Sequence, residues 1–280
     1  MSEKIELKPF TKWVGGKRQL LNELLDNIPE EFNTYYEPMV GGGALFFALK
    51  AEIAVINDSN TDLMLAYQSI KDNVDELIEV LKIHDENNSK EYYLDLRKSD
   101  RDGRYEKMSD AEKAARLIYM LRVNFNGLYR VNQKGQFNVP YGRYKNPNIV
   151  DEDSLLAISK YFNTNQIKIM NGSYEEAVKD AKAGDFIYFD PPYIPVNETS
   201  SFTSYTANGF NYQEQIKLRD TFKELDERGC YLMLSNSAAE EVFDLYRDYA
   251  ETTIIVQASR MINSNASKRG HVDEVLIKNY

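Results

Sequence analysis

The stretch Phe186-Ile187-Tyr188-Phe189-Asp190-Pro191-Pro192-Tyr193 constrains this chain more than any other. Residues 186 to 189 are aromatic or β-branched, too short for a helix and without polar alternation, so they describe a strand buried on both faces. The prolines end it. Neither donates a ladder hydrogen bond, and Pro191 biases Asp190 toward an extended conformation, so a rigid turn is expected at the strand's carboxyl end. In an open α/β sheet that end is where ligands bind.

Such a turn offers a carboxylate at Asp190, the carbonyl of Pro191 and the π face of Tyr193. Two acceptors beside an aromatic plate suit a flat heterocycle carrying an exocyclic amino group. The plainer reading is that Pro191 and Pro192 merely end a strand and Tyr193 is packing, as it is for many of the 20 tyrosines. The aspartate after a buried strand weighs toward the ligand, and the other motifs must decide.

Other segments predict an α/β fold. Strands are expected at Ile53–Ile56, Ile167–Met170, Tyr231–Leu234, Thr253–Val256 and Val275–Ile277. A helix with Leu20, Leu21, Leu24, Leu25 and Ile28 on one face follows the N-terminal segment. Further helices are expected over Tyr212–Asp226 and Glu240–Tyr246, and capping boxes at Ser109–Glu112 and Ser173–Glu176 open two more. Alternation of this kind implies a mostly parallel sheet, here interrupted by a helical stretch from about Thr61 to Phe162. Residues 195–212 read as a mobile lid.

Two glycine-bearing stretches come early. Lys12-Trp13-Val14-Gly15-Gly16-Lys17 fails as a phosphate loop, because the earlier glycine and the Ser or Thr after lysine are missing. It reads instead as a close backbone approach presenting Trp13 and Lys17, with a core role for Trp13 as the alternative. Glu37-Pro38-Met39-Val40-Gly41-Gly42-Gly43 joins a strand to an apolar helix, like the first βα turn of a nucleotide-type fold. Asp58 then ends the second strand, where such folds bind ribose hydroxyls.

The formal charge of -10 argues against indiscriminate polyanion binding. Its distribution is uneven: Arg122 to Val150 contains no acid but holds Arg122, Arg130, Lys134, Arg143 and Lys145, which points to a local anion-facing surface. Asn124 to Pro147 is an irregular stretch long enough to be functional, and its aromatics argue against disorder. Arg130 can fork onto a guanine edge; a solvated loop with scattered basic residues is the bland alternative. One cysteine, Cys230, precludes an internal disulfide, and two histidines without ligand spacing make a zinc site or a serine–histidine triad improbable. With no apolar run of bilayer length and no signal peptide, a cytoplasmic protein is expected.

Taken together and in order, six blocks carry a resemblance over essentially the whole chain: Lys12–Lys17, Glu37–Gly43, Asn57-Asp58, Asn126–Arg130, Phe137–Lys145 and Asp190–Tyr193. The chain resembles the Dam family of DNA (adenine-N6)-methyltransferases, in particular the GATC methylases of Dpn-type restriction systems. Met39 departs from the family's usual Phe.

The resemblance implies a Rossmann-like S-adenosylmethionine-dependent methyltransferase sheet, formed by residues 1–60 and 166–280, with a mainly helical target-recognition domain inserted at 61–165. It implies S-adenosylmethionine contacts from Trp13, Lys17, Gly41, Gly42, Gly43, Asp58 and Asp190, with S-adenosylhomocysteine as product and no metal. Catalysis falls to Asp190, Pro191, Pro192 and Tyr193. Double-stranded DNA is the expected partner, read by Leu128, Arg130 and Pro140 with Arg143 and Lys145 beside them. Monomer and weak dimer both stay open. The block order matches the alpha group of amino-methyltransferases. Rival readings are an RNA or protein-amide methyltransferase, or an inactive fold that only binds DNA.

Overall fold

The computed structural model describes residues 6–17, 19–195, 210–259 and 271–280. Among these, seven strands form one sheet: β1 (Tyr35–Glu37), β2 (Ile53–Asp58), β3 (Gln166–Asn171), β4 (Phe186–Phe189), β5 (Tyr231–Ser237), β6 (Ile254–Ser259) and β7 (His271–Lys278), in the order β3-β2-β1-β4-β5-β7-β6. The run 3-2-1-4-5 is that of a doubly wound Rossmann sheet. β1 pairs in parallel with β2 and β4, and β4 with β5, whereas β7 lies antiparallel between β5 and β6. All four residues of β4 are buried, as its unbroken apolar run predicts. The lid expected at 195–212 lies outside the described residues from 196 to 209.

The chain divides into two compact units, and β2 passes from one to the other between Ile56 and Asn57. One comprises residues 17–39, 53–56 and 173–280. Its core packs Phe189, Leu232, Leu234, Val275 and Ile277 of the sheet with Leu218, Phe222 and Leu225 of the helix Tyr212–Glu227. That helix begins where the Asn211 side chain accepts from the amides of Gln213 and Glu214. Buried Asp185 anchors the start of β4, accepting from the amides of Thr34 at 3.1 Å and Lys182 at 2.9 Å.

The other unit comprises residues 1–16, 40–52 and 57–172. It is mainly helical, with helices Thr61–Asp72, Val74–Glu86, Lys90–Arg97, Asp110–Val123 and Glu152–Thr164. Both bonds of the Ser109–Glu112 capping box are present. Phe46, Phe47, Tyr67 and Phe162 form an aromatic core, with Phe47 stacked on Tyr67 at 6.2 Å.

Differences from the sequence reading have local causes. The first helix spans only Leu21–Leu25, not as far as Ile28, because Pro29 disfavours helical geometry at the residue before it. Instead of ending with its apolar residues, β5 continues through Ser235-Asn236-Ser237, all buried. Arg122 leaves the anion-facing set: half-buried, it donates to the Phe10 carbonyl at 2.7 Å. The stretch after Asn124 folds back on itself through antiparallel bridges Asn124–Tyr141 and Val131–Phe137. Cys230 is buried as expected, and burial pushes its thiol up to about 11. No helix among the described residues is long and apolar enough to cross a membrane.

His84 is buried with Nδ1 2.7 Å from Tyr92 Oη, and burial, then Arg116, lowers its pKa to about 4. The native state therefore resists a proton that the unfolded chain takes up as pH falls through about 6.5. Stability is expected to drop by about 2 kcal/mol between pH 7 and pH 5 from this group alone. Urea unfolding of wild type and His84→Gln across that range checks it: the variant should show a shallower loss.

Candidate active site

Within the unit containing β4, the strand tip gathers a lysine, a carboxylate and a phenol. Asp190 pairs with Lys17, Nζ to Oδ1 at 2.8 Å, and both side chains are largely buried at 11% and 19% exposure. The same ammonium lies 4.6 Å from the centroid of the Tyr193 ring, within cation–π range. Tyr193 Oη donates to Glu274 on β7 at 2.7 Å. Burial first, then the negative charges of Asp190 and Glu274, raises the Tyr193 phenol well above its ordinary value. The ring thus stays neutral and its position is fixed from the far end. Lys17, expected from the sequence as a cofactor contact, thus joins Asp190 and Tyr193 of the proline motif in one cluster.

Behind them the proline turn is held by side chains that sequence reasoning missed. Gln215 donates to the Pro192 carbonyl at 2.8 Å, and Asn236 donates to Gln215 at 3.3 Å while accepting from the Ile194 amide at 3.1 Å. Ser237 Oγ donates to the Ile194 carbonyl at 2.5 Å. These bonds satisfy the Pro192 carbonyl and both backbone groups of Ile194 where the strand ladder has ended. The signal available was a polar Ser-Asn-Ser run at the end of an apolar strand; for Gln215 and Glu274 there was none. Pro191 is buried and Pro192 exposed.

In the other unit, the glycine turn is shaped by the protein's own aromatics. Gly41 has φ +48° and Gly43 φ +68°, the left-handed region that disfavours side chains. A Cβ at Gly41 would sit 3.0 Å from Trp13 Cδ1, and one at Gly42 3.2 Å from Trp13 Cβ. At Gly43 it would meet Tyr67 Oη at 2.6 Å. Asp58 accepts from the amides of Gly41 at 3.0 Å and Asn60 at 2.9 Å. Burial raises the Asp58 pKa, and these amides counter it. Trp13 is half-buried, which joins the two roles considered for it: one edge on the glycines, the ring 5.2 Å from that of Tyr129.

The acid-free arm belongs to the same unit. Its backbone is fixed inward: Val139 O accepts from Tyr93 and Arg97, both at 2.8 Å, and Phe137 O accepts from Arg101 at 2.6 Å. Asp100 takes the Phe137 amide at 2.8 Å and is paired with buried Arg116. Outward it presents Arg130, Pro140, Arg143 and Lys145, all exposed, with Leu128 half-buried. Arg130 is steadied by Asn138, Nε to Oδ1 at 2.6 Å. Lys12 lies 4.7 Å from the centroid of the exposed Tyr144 ring.

Residues 13–262 match the family model of D12 class N6 adenine-specific DNA methyltransferases. The chain belongs to that family. As a D12 class enzyme it is 57% identical over 277 residues to the type II methyltransferase M1.LlaDCHI of Lactococcus lactis subsp. cremoris, covering 99% of this chain and 97% of the relative. Identity is 44% to the type II methyltransferase M.MjaIII of Methanocaldococcus jannaschii, over 99% of this chain and 100% of the relative. With the DNA adenine methylase of Vibrio cholerae it is 36%, over 96% and 95%. The family is one of enzymes acting on DNA adenine, which sets aside the RNA, protein-amide and inactive readings.

Gly43→Ala in this methyltransferase combines a left-handed backbone with a Cβ clash and is expected to cost about 2 kcal/mol in urea unfolding. Gly103→Ala is the control. It has φ +79° with nothing within 4 Å of the added Cβ, so it should cost about half as much.

Proposed function

We propose that this enzyme methylates the N6 amino group of an adenine extruded from duplex DNA at GATC, with S-adenosylmethionine as donor. The observation that carries the reading is the cluster of Lys17, Asp190 and Tyr193: a carboxylate and a neutral aromatic face together already hold an amino nitrogen, at 2.8 Å and 4.6 Å. An adenine amino group asks for the same pair. A carboxylate has several lone-pair sites, so Asp190 can accept from adenine while it keeps Lys17.

Trp13, Gly41 to Gly43 and Asp58 are the residues that would hold the donor. The left-handed turn keeps side chains off its floor, and Asp58 offers oxygen to hydroxyls. S-adenosylmethionine, when bound, supplies an electrophilic methyl carbon. The work of the chain is on the nucleophile. Extruding the base costs a few kcal/mol of stacking and pairing, part of which stacking on Tyr193 returns. Acceptance of the amino hydrogens by Asp190 and the Pro191 carbonyl favours a tetrahedral nitrogen with its lone pair free. Positive charge building on that nitrogen is met by the carboxylate and then by the ring face, in a site whose dipoles are already fixed, and the proton that the methylated nitrogen must shed passes to the Asp190 carboxylate and on to solvent. Gln215, Asn236 and Ser237 hold the backbone that follows these acceptors, at Pro192 and Ile194, and so fix the turn that carries them.

Residues 61–165 are proposed to recognise the target, with Arg130 on a guanine, Leu128 and Pro140 beside the site, and Arg143 and Lys145 on phosphates. This confines DNA contact to the acid-free arm of an acidic protein, and the cytoplasm is the proposed place of action.

Digestion of treated DNA with nucleases that cut only methylated or only unmethylated GATC tests the reading directly: protection from the second and sensitivity to the first are expected, and unmodified GATC overturns it. Asp190→Ala should abolish tritiated-methyl incorporation while leaving the fold intact by circular dichroism. Arg130→Ala should lose about 1–3 kcal/mol of discrimination at one guanine, read as the ratio of kcat/KM on GATC and single-base variants.

A further inference from the structure

In one unit Tyr129 lies between Trp13, which packs on the glycine turn, and the arm that carries Arg130. Its ring lies 5.2 Å from that of Trp13 at 31° and meets Phe137 edge-on at 5.8 Å. Its hydroxyl donates to Asp62 at 3.1 Å, and Tyr105 donates to the other oxygen of that carboxylate at 2.5 Å. Asp62 itself stands in the first turn of the helix Thr61–Asp72, just after Asn60, whose amide Asp58 accepts. Burial first, then Asp62, pushes the Tyr129 phenol up to about 12, so the donor persists at working pH.

Three anchors thus fix one rigid ring: an indole that packs on Gly41 and Gly42, a carboxylate tied to the Asp58 turn, and an arm phenylalanine. Its peptide neighbour is Arg130, whose carbonyl accepts from the Asn138 amide at 3.0 Å. Any movement of Trp13 relative to the glycines shifts the surface on which Tyr129 packs. With its hydroxyl held by Asp62, Tyr129 would pass that shift to the backbone carrying Leu128 and Arg130.

We infer that Tyr129 is a positioning residue that energetically links donor binding at the glycine turn to base reading by the arm. The inference rests on the roles proposed above for Trp13 and Arg130. By linkage the effect is reciprocal: a cognate site tightens the donor pocket by the same factor as the donor tightens the cognate site.

The test uses full-length enzyme, S-adenosylhomocysteine as unreactive probe, and two duplexes, one with a single GATC and one with those four bases scrambled. Calorimetry gives the Kd of the probe with each duplex saturating, and the ratio of the two values is the readout. Wild type is expected to show a ratio of about fivefold or more. Tyr129→Leu should bring it within about twofold of unity while probe and duplex still bind. Tyr129→Phe, which keeps the stack but loses Asp62, should fall between, and it carries the test alone if the leucine variant does not fold. An unchanged ratio in the folded variants, or a wild-type ratio of one with both ligands bound, overturns the inference but leaves the proposed function standing. Failure of wild type to bind the probe or to prefer GATC overturns both.

Discussion

A strand that ends in two prolines cannot hold its own tip, because the backbone donors that would continue the ladder are missing. Everything at the Asp190 corner follows from how that deficit is met. Gln215 from the helix Tyr212–Glu227, and Asn236 and Ser237 from the neighbouring strand, pair the Pro192 carbonyl and the Ile194 amide and carbonyl that follow the last ladder bond, and all three are buried. Inside a protein such a network is strong when every member is satisfied and costly when one is not, so the turn has one geometry. Preorganisation of that kind suits a reaction that must hold an amino group in one direction.

The glycine turn meets a different constraint. Its backbone enters the left-handed region twice, at Gly41 and Gly43, and Trp13 and Tyr67 pack where a Cβ on these glycines would fall. Tyr67 also donates to the Gly41 carbonyl at 3.1 Å, while Asp58 takes the Gly41 amide. Both polar groups of the sharpest residue are therefore paired, and the loop is held without a side chain of its own. The arm uses the reverse arrangement: its backbone is tied down by Tyr93, Arg97, Arg101 and Asp100, which leaves its basic side chains facing solvent. Cations at the surface of an acidic protein remain available to an anion only if the interior does not claim them. Arg122 shows the contrast, since the Phe10 carbonyl has taken it.

Much of this was legible in the chain. The buried run of β4, the mostly parallel α/β pattern and the Ser109–Glu112 capping box depend on local periodicity, proline geometry and glycine conformation, which are properties of neighbours in sequence, whereas at Ser173 only the serine half of the expected box forms, accepting from the Glu176 amide. What escaped was polar and non-local. Ser235-Asn236-Ser237 reads as the end of a strand until its partners at Ile194 and Tyr188 are known, and Glu274 has no meaning without the phenol of Tyr193. Helix ends slipped where Pro29 acted on the residue before it, and the irregular arm after Asn124 gained order from bridges between residues up to 17 positions apart.

By itself, then, the sequence determined the local features from which a site is read: an aspartate at a proline-terminated strand, a triple glycine before a helix, and an arm without acids. Only the tertiary structure decided their company. It joined Lys17 to Asp190 and Tyr193, set Trp13 against its own glycines and Tyr129, and engaged half-buried Arg122 with the Phe10 carbonyl. The physical reason is that hydrogen bonds and ion pairs are made between positions far apart in the chain. Backbone preference fixes what each segment can be, but burial of the assembled layers fixes which polar groups must find one another.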